Sequence, residues 1–181
     1  DDAIRQIGVG TERLEENILG VFKDAKVLRM DADTTSKKGA HHKIINEFNS
    51  GAYDILVGTQ MIAKGLNFPN VTLVGVINAD SSLNIPNFRS SERTFSLIDQ
   101  VTGRAGRVNK EGEAIVQTFN PDHYSIVCAS NHDYKTFFAK EMFIRKKLNY
   151  PPYCFITLIK ISSKDFNYGI GEAKKISEFL K

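Results

Sequence analysis

Within QVTGRAGR, residues 100–107, four residues stand at the spacing of one helix face: Gln100, Gly103, Arg104 and Arg107. That face presents one amide, two permanently charged guanidinium forks and a patch of bare backbone at which a ligand can approach closely. Planar forks in a pair suit phosphate better than other common ligands. Ile98, Val101, Ala105 and Val108 fall mainly on the opposite side, which can pack on a core. Gly103 and Gly106 would each cost roughly 1 kcal/mol against alanine in a helix interior, so their presence asks for a reason. The structural alternative is a surface helix whose arginines are solvated or paired with Glu92 and Asp99.

A second stretch suits the same ligand. VGTQMIAKGLNFP, residues 57–69, follows a strand-like run and ends that strand in Gly58-Thr59. A short helix starting there would aim backbone N–H groups and the Thr59 hydroxyl at an anion on the sheet's C-terminal edge. Lys64-Gly65 closes that helix, and Asn67-Phe68-Pro69 turns the chain toward the next strand. Taken alone, a Gly-Thr turn after a strand is ordinary structure. Two phosphate-suited elements at one sheet edge are harder to dismiss.

Other chemistry is missing. No G-x-x-x-x-G-K-[ST] occurs, so the chain has no P-loop to hold nucleotide phosphates and Mg²⁺. Asp31 and Asp33 end a strand, but read as a turn leading to a Thr34 or Ser36 cap. Arginines fit for a γ-phosphate, with no cradle for one, suggest half of a composite site.

The elements that must position these groups follow from periodicity. KVLRM (26–30), YDILVG (53–58), TLVGVI (72–77) and AIVQTF (114–119) are short apolar runs bounded by turn residues, which predicts buried strands. IRQIGV near the start reads as the remnant of another. Leu14, Ile18, Leu19 and Phe22 form a helical stripe after a Thr11 cap with Glu12 and Glu15 in the first turn. Ile44, Ile45 and Phe48 form another, closed by Gly51, and a third helix runs from about Arg89 to Arg107. Strands alternating with helices predict an α/β fold with a parallel sheet covered on both faces. Beyond residue 122 the sequence turns helical and aromatic-rich. After Pro151-Pro152 come a fresh strand, FITLIKIS (155–162), and a fresh helix, 169–181, too little to enclose a core. The expected division is 1–122, a helical linker at 123–150, and the opening of a further α+β domain at 151–181.

Composition sets loose bounds. The 181 residues are 41% hydrophobic and 25% charged, a globular balance, and the net charge of +3 is compatible with nucleic acid without arguing for it. Cys128 and Cys154 form no CxxC pair, and His41, His42, His123 and His132 show no metal-ligand spacing and read as surface residues. No metal is expected. No run is long enough to cross a bilayer, and the start is not a signal peptide, so the expected setting is cytoplasmic.

The stretches GTQMIAKGLNFPNVTLVGVINAD, NFRSSERTFSLIDQVTGRAGR and GEAIVQTFNPDH resemble the second RecA-like lobe of superfamily 2 helicases. The run Phe88-Arg89-Ser90-Ser91-Glu92-Arg93 narrows the resemblance to the helicases of replication restart. The resemblance implies the second motor lobe of an ATP-dependent 3′-to-5′ DNA helicase acting in primosome assembly in the bacterial cytoplasm. It implies that Arg107 is an arginine finger, with Arg104 its partner and Gln100 an orienting group. Lys64, Gly65, Asn67 and Gly103 would lie at the ATP site, and Gly58, Thr59 and Gln60 on the DNA backbone. ATP and Mg²⁺ would be held mainly by a first lobe in cis, and Zn²⁺ by an upstream insertion. Implied partners are forked or single-stranded DNA, single-stranded DNA-binding protein and primosome loading proteins. The readings left to compete are a non-catalytic nucleic-acid-binding α/β module and a Rossmann-like enzyme, the latter disfavoured because no G-x-G-x-x-G follows a strand.

Overall fold

The structure, a computed structural model, describes residues 10–60, 62, 68–103 and 112–180. It divides into two compact units, Asp1–Phe143 and Ile144–Lys181. IRQIGV lies outside the described residues.

In the first unit the four expected strands form as β1 (Val27–Met30), β2 (Ile55–Gly58), β3 (Leu73–Val76) and β4 (Glu113–Val116). All pairing is parallel, which requires a crossover between partners. Among the described residues the strands make two separate pairs. β1 lies on β2 with Val27 opposite Ile55 and Met30 opposite Gly58. β3 lies on β4 with Leu73 opposite Glu113 and Val76 opposite Val116. Helix α1 (Thr11–Val21) leads into β1, and α2 (Ala40–Asn49) is the crossover to β2. The short α3 (Asp80–Leu83) and the longer α4 (Ser90–Thr102) make the crossover from β3 to β4. α5 (Tyr124–Ser130) follows, and α6 (Tyr134–Lys147) begins in the first unit and ends in the second. This is the parallel α/β architecture that the alternation of patterns predicts.

The larger core gathers on α4. Phe95 and Ile98 are buried there with Ala79, Ile126, Cys128, Ala129 and Phe137, and with Val76 and Val116 from the strands beside them. Phe95 and Phe137 stack at 4.2 Å between ring centroids, a favoured offset arrangement for aromatic pairs. Around the first strand pair, Met30, Ile44, Val57 and Phe68 are buried.

Two buried carboxylates bind strand ends to neighbouring segments. Asp80, shortly after β3, accepts hydrogen bonds from the Phe119 backbone N–H at 2.8 Å, Asn120 Nδ2 at 2.7 Å and the Thr118 hydroxyl at 3.2 Å. Burial alone would raise its pKa, but these donors hold it below the ordinary 3.8. Asp31, directly after β1, accepts from the Thr11 hydroxyl at 2.6 Å and the Thr34 N–H at 2.9 Å, with Arg29 Nε 3.0 Å away. Its pKa is lowered against burial in the same way.

Four details depart from the sequence reading. Thr11 is the first residue of α1 and not its cap, because its hydroxyl is given to Asp31 across 20 residues of chain. Neither Thr34 nor Ser36 caps α2. Thr34 closes a turn on Asp31, and the helix starts at left-handed Gly39. In the second unit, residues 155–163 form no strand, and Phe155 and Leu158 stand exposed. A strand needs a ladder partner for its backbone groups, and the described residues of this unit supply none. The helix expected at 169–181 forms earlier, as α7 (Phe166–Phe179), capped by the Asp165 carboxylate on the Tyr168 N–H.

The carboxylate bonds predict a pH dependence. A group whose folded pKa lies below its unfolded value contributes stability above about 3.8, which is lost as pH falls through the folded value. Asp80→Asn should lower stability at neutral pH by about 1.5–3 kcal/mol, the scale of hydrogen bonds to a charged group. It should also flatten the acid limb of the stability curve. Denaturant unfolding between pH 3 and 7 measures both, and an unchanged acid limb would contradict the assignment.

Candidate functional site

One described residue from each phosphate-suited stretch borders the same cleft. Gln60, just after β2, and Gln100, in the last turns of α4, line one cleft of about 370 Å³ together with Ser82, Ile85, Glu92, Arg93, Ser96 and Leu97. The two glutamines are forty residues apart in sequence, and each is exposed. The packing of α4 explains the arrangement. Burying Phe95 and Ile98 turns Arg93, Ser96 and Gln100 outward, since these positions lie on the other face of a 3.6-residue helix.

On the β2 side the geometry is set by Gly58. A Cβ at this position would lie 2.2 Å from the Met30 carbonyl oxygen and 2.5 Å from Ile62 Cδ1. Only hydrogen fits there. The strand then ends in a turn whose Thr59 carbonyl accepts the Ile62 N–H at 3.1 Å, leaving the Thr59 and Gln60 side chains exposed.

On the α4 side the helix ends at Thr102, and Gly103 is its C-cap, with φ −70° and ψ 1°. Gly103 thus sits at a terminus, where glycine is well tolerated, and not in the helix interior that the sequence suggested. The Thr102 hydroxyl bonds back to the Ile98 carbonyl at 2.8 Å. A methyl on Gly103 would meet the Asp99 carbonyl at 3.3 Å and His132 Cε1 at 3.9 Å.

His132 is a neighbour that the sequence reading missed. It occupies the turn between α5 and α6 in a left-handed conformation, φ 53°, with Nδ1 2.7 Å from Asp99 Oδ1. Asp99 thus has a histidine partner among the described residues; the arginine partners of the structural alternative, Arg104 and Arg107, lie outside them. A histidine beside an Asn-Asp turn carries no periodic signal of such a role. His123 also departs from a plain surface residue. Half-buried, it accepts the Ser125 N–H as the cap of α5, and burial lowers its pKa against the opposing pull of Glu141 and Asp80.

The structure thus brings together Gln60 and Gln100, with Gly58 and Thr59 adjoining one and Gly103 ending the helix of the other. Lys64, Gly65, Asn67, Arg104 and Arg107 lie outside the described residues. A separate depression of about 520 Å³ at the start of α2 is lined by Lys37, Lys38 and Lys43 and contains none of the expected site residues. Among the described residues no three His, Cys, Asp or Glu side chains cluster as metal ligands would, and Cys128 and Cys154 are free thiols. No described helix is long and apolar enough to cross a membrane.

Comparison with known proteins gives this cleft a context. Residues 9–109 match the family described as the helicase conserved C-terminal domain. Over 98% of its length the chain is 53% identical to the replication restart protein PriA of Bacillus subtilis, of which it spans 22%. It is 42% identical over 96% of its length to the replication restart protein PriA of Chlamydia muridarum, spanning 23% of it. The figures for that of Haemophilus influenzae are 39%, 96% and 24%. The chain thus spans about a quarter of the length of these relatives, or less. The solved C-terminal domain of the DEAD-box protein Dbp5 aligns with 75% of this chain and 77% of its own, at TM-score 0.48 and 17% identity.

The two glycines should respond differently to a methyl group. Gly58→Ala should destabilise the chain by about 1–3 kcal/mol, the range for forcing a methyl into filled space. Gly103→Ala should cost less, because its nearest contact is 3.3 Å and the backbone there suits any residue. Equilibrium unfolding of both variants decides the point, and equal losses would contradict it.

Proposed function

We propose, from the premise that this chain belongs to the helicase conserved C-terminal domain family, that it is the second motor lobe of an ATP-dependent DNA helicase of replication restart. The observation that carries the reading is the shared cleft. Gln60, one of the residues expected on DNA, and Gln100, expected to orient the nucleotide site, open onto one space. A motor must couple a nucleotide site to a DNA site, and a single rigid helix that borders both is a direct means of doing so.

In this reading Thr59 and Gln60 hold DNA backbone phosphate without reading sequence, as a translocating enzyme requires. Gln100 orients groups at the nucleotide, with Gly103, Lys64, Gly65 and Asn67 about it. Arg107 offsets the charge that builds on the phosphoryl group as its bond to the leaving phosphate breaks, and Arg104 assists on phosphate or between lobes. The sequence contains no P-loop, and among the described residues the carboxylates do not cluster as Mg²⁺ ligands would. In this reading ATP and Mg²⁺ are held mainly by a first lobe in cis, and Zn²⁺ by an upstream insertion. Unwinding in the 3′-to-5′ direction, action on forked DNA with single-stranded DNA-binding protein and primosome loaders, and a cytoplasmic setting complete the proposal.

The test is steady-state ATP turnover of the full-length protein at saturating forked DNA. Arg107→Ala should lower turnover by about a thousandfold or more, the scale of an arginine finger, while ATP affinity changes little. Arg107→Lys should rescue only in part, because a point charge does not replace the fork. Normal turnover with lost DNA affinity would favour the non-catalytic binding module.

A further inference from the structure

The helicase reading assigns no role to the run Phe88–Arg93, although the structure builds it with care. Ser90 is buried and its hydroxyl donates to the Ile85 carbonyl. Thr94, 1% exposed, donates to the Ser90 carbonyl at 2.9 Å. Asn87 Oδ1 accepts the Arg89 N–H at 2.9 Å. These bonds fix where α4 begins and how it is turned about its axis. Between two buried anchors, Ser90 and Phe95, Arg93 is sent outward to the wall of the cleft that Gln60 and Gln100 also line.

Arg93 and Gln100 stand at i and i+7, so they share one helix face about 10 Å apart along the axis. In the helicase-lobe reading the phosphoryl group is attended by Gln100 and the residues after it in sequence, which leaves Arg93, two turns earlier, without an assigned ligand. Gln60, across the cleft, is itself one of the residues assigned to the DNA backbone. Glu92, on the same wall, already has a partner, whereas Arg93 makes no ion pair among the described residues. The cleft thus presents an uncommitted guanidinium, hydroxyls from Ser82 and Ser96, and a carboxamide from Gln60. All of these can donate to phosphate oxygens.

We propose that Arg93 is a binding residue for the DNA strand, gripping one backbone phosphate in the cleft between the β2 turn and α4. The proposal rests on the helicase-lobe reading and adds to it a contact that none of its expected site residues supplies. Because the contact is to phosphate, it supplies affinity and register on the strand and no sequence preference. The motor helix then touches DNA at its start and the nucleotide at its end.

The experiment measures binding of forked DNA to the full-length protein by fluorescence anisotropy across a salt series, with DNA-free nucleotide affinity measured beside it. Arg93→Gln should weaken DNA binding roughly fivefold to tenfold at about 0.1 M salt, the size of one charge-assisted contact. It should also flatten the slope of log affinity against log salt by about 0.7–0.9, the value of one phosphate. Arg93→Lys should keep most of the slope, since a lysine also releases a counterion. The exposed side chain can be replaced without disturbing the fold, and a melting curve checks that. An unchanged slope and affinity in Arg93→Gln would overturn the proposal. So would a loss of nucleotide affinity with DNA binding intact, which would put the phosphate on the nucleotide. Thr59→Ala and Arg107→Ala, carried in parallel, separate the two levels. If they weaken DNA binding and turnover respectively while Arg93→Gln is silent, only the Arg93 contact fails. If all three are silent, the helicase-lobe reading fails with it.

Discussion

The rotation of α4 about its own axis is the constraint that places the site. Ile98 is fully buried, Phe95 stacks on Phe137, and the Ser90 and Thr94 hydroxyls are satisfied inside the protein. A helix turned by one residue would rotate about 100°, exposing Ile98 and stranding two buried hydroxyls, which is costly on both counts. One orientation therefore wins, and it leaves the polar face open to the cleft. The functional side chains need no bonds of their own to be aimed.

The opposite wall is positioned by a different kind of contact. Each parallel pair has a C-terminal edge, and there Asp31 and Asp80 bind segments distant in sequence: Thr11 to the end of β1, and residues 118–120 to the end of β3. Charge-assisted bonds to backbone and short side chains suit this role because their geometry is narrow. Gly58 completes the edge by letting the Met30 carbonyl approach to a distance no other residue allows. The turn that carries the candidate residues Thr59 and Gln60 thus starts from a closely packed strand end, the usual arrangement of functional loops in α/β proteins.

Much of this architecture was legible in the sequence, and the limits have physical causes. The strands announce themselves because Val, Leu and Ile runs of four or five residues between turn residues have few other uses. The stripe Ile44, Ile45, Phe48 is likewise a helix by spacing alone. What escaped the sequence depends on distant partners. Thr11 reads as a cap until Asp31 is found to claim its hydroxyl, and nothing in the sequence brings His132 from another turn to Asp99. Residues 155–162 read as a strand because their side chains are right, yet strand formation is decided by what lies alongside. Of the candidate site, the motifs singled out Gln60 and Gln100, which the structure places on one cleft. The cleft between Gln60 and Gln100, and the place of Arg93 in it, required the fold.

In the proposed motor, this lobe faces nucleotide with the end of α4 and DNA with the turn after β2. A structure of the full-length protein bound to forked DNA and a phosphoryl-transfer transition-state analogue tests that division. The expected result is the Arg107 guanidinium at about 3 Å from the transferring group's oxygens, with Thr59 and Gln60 against the DNA backbone. Arg107 resting on DNA, or turned to solvent while the analogue is bound, would contradict it.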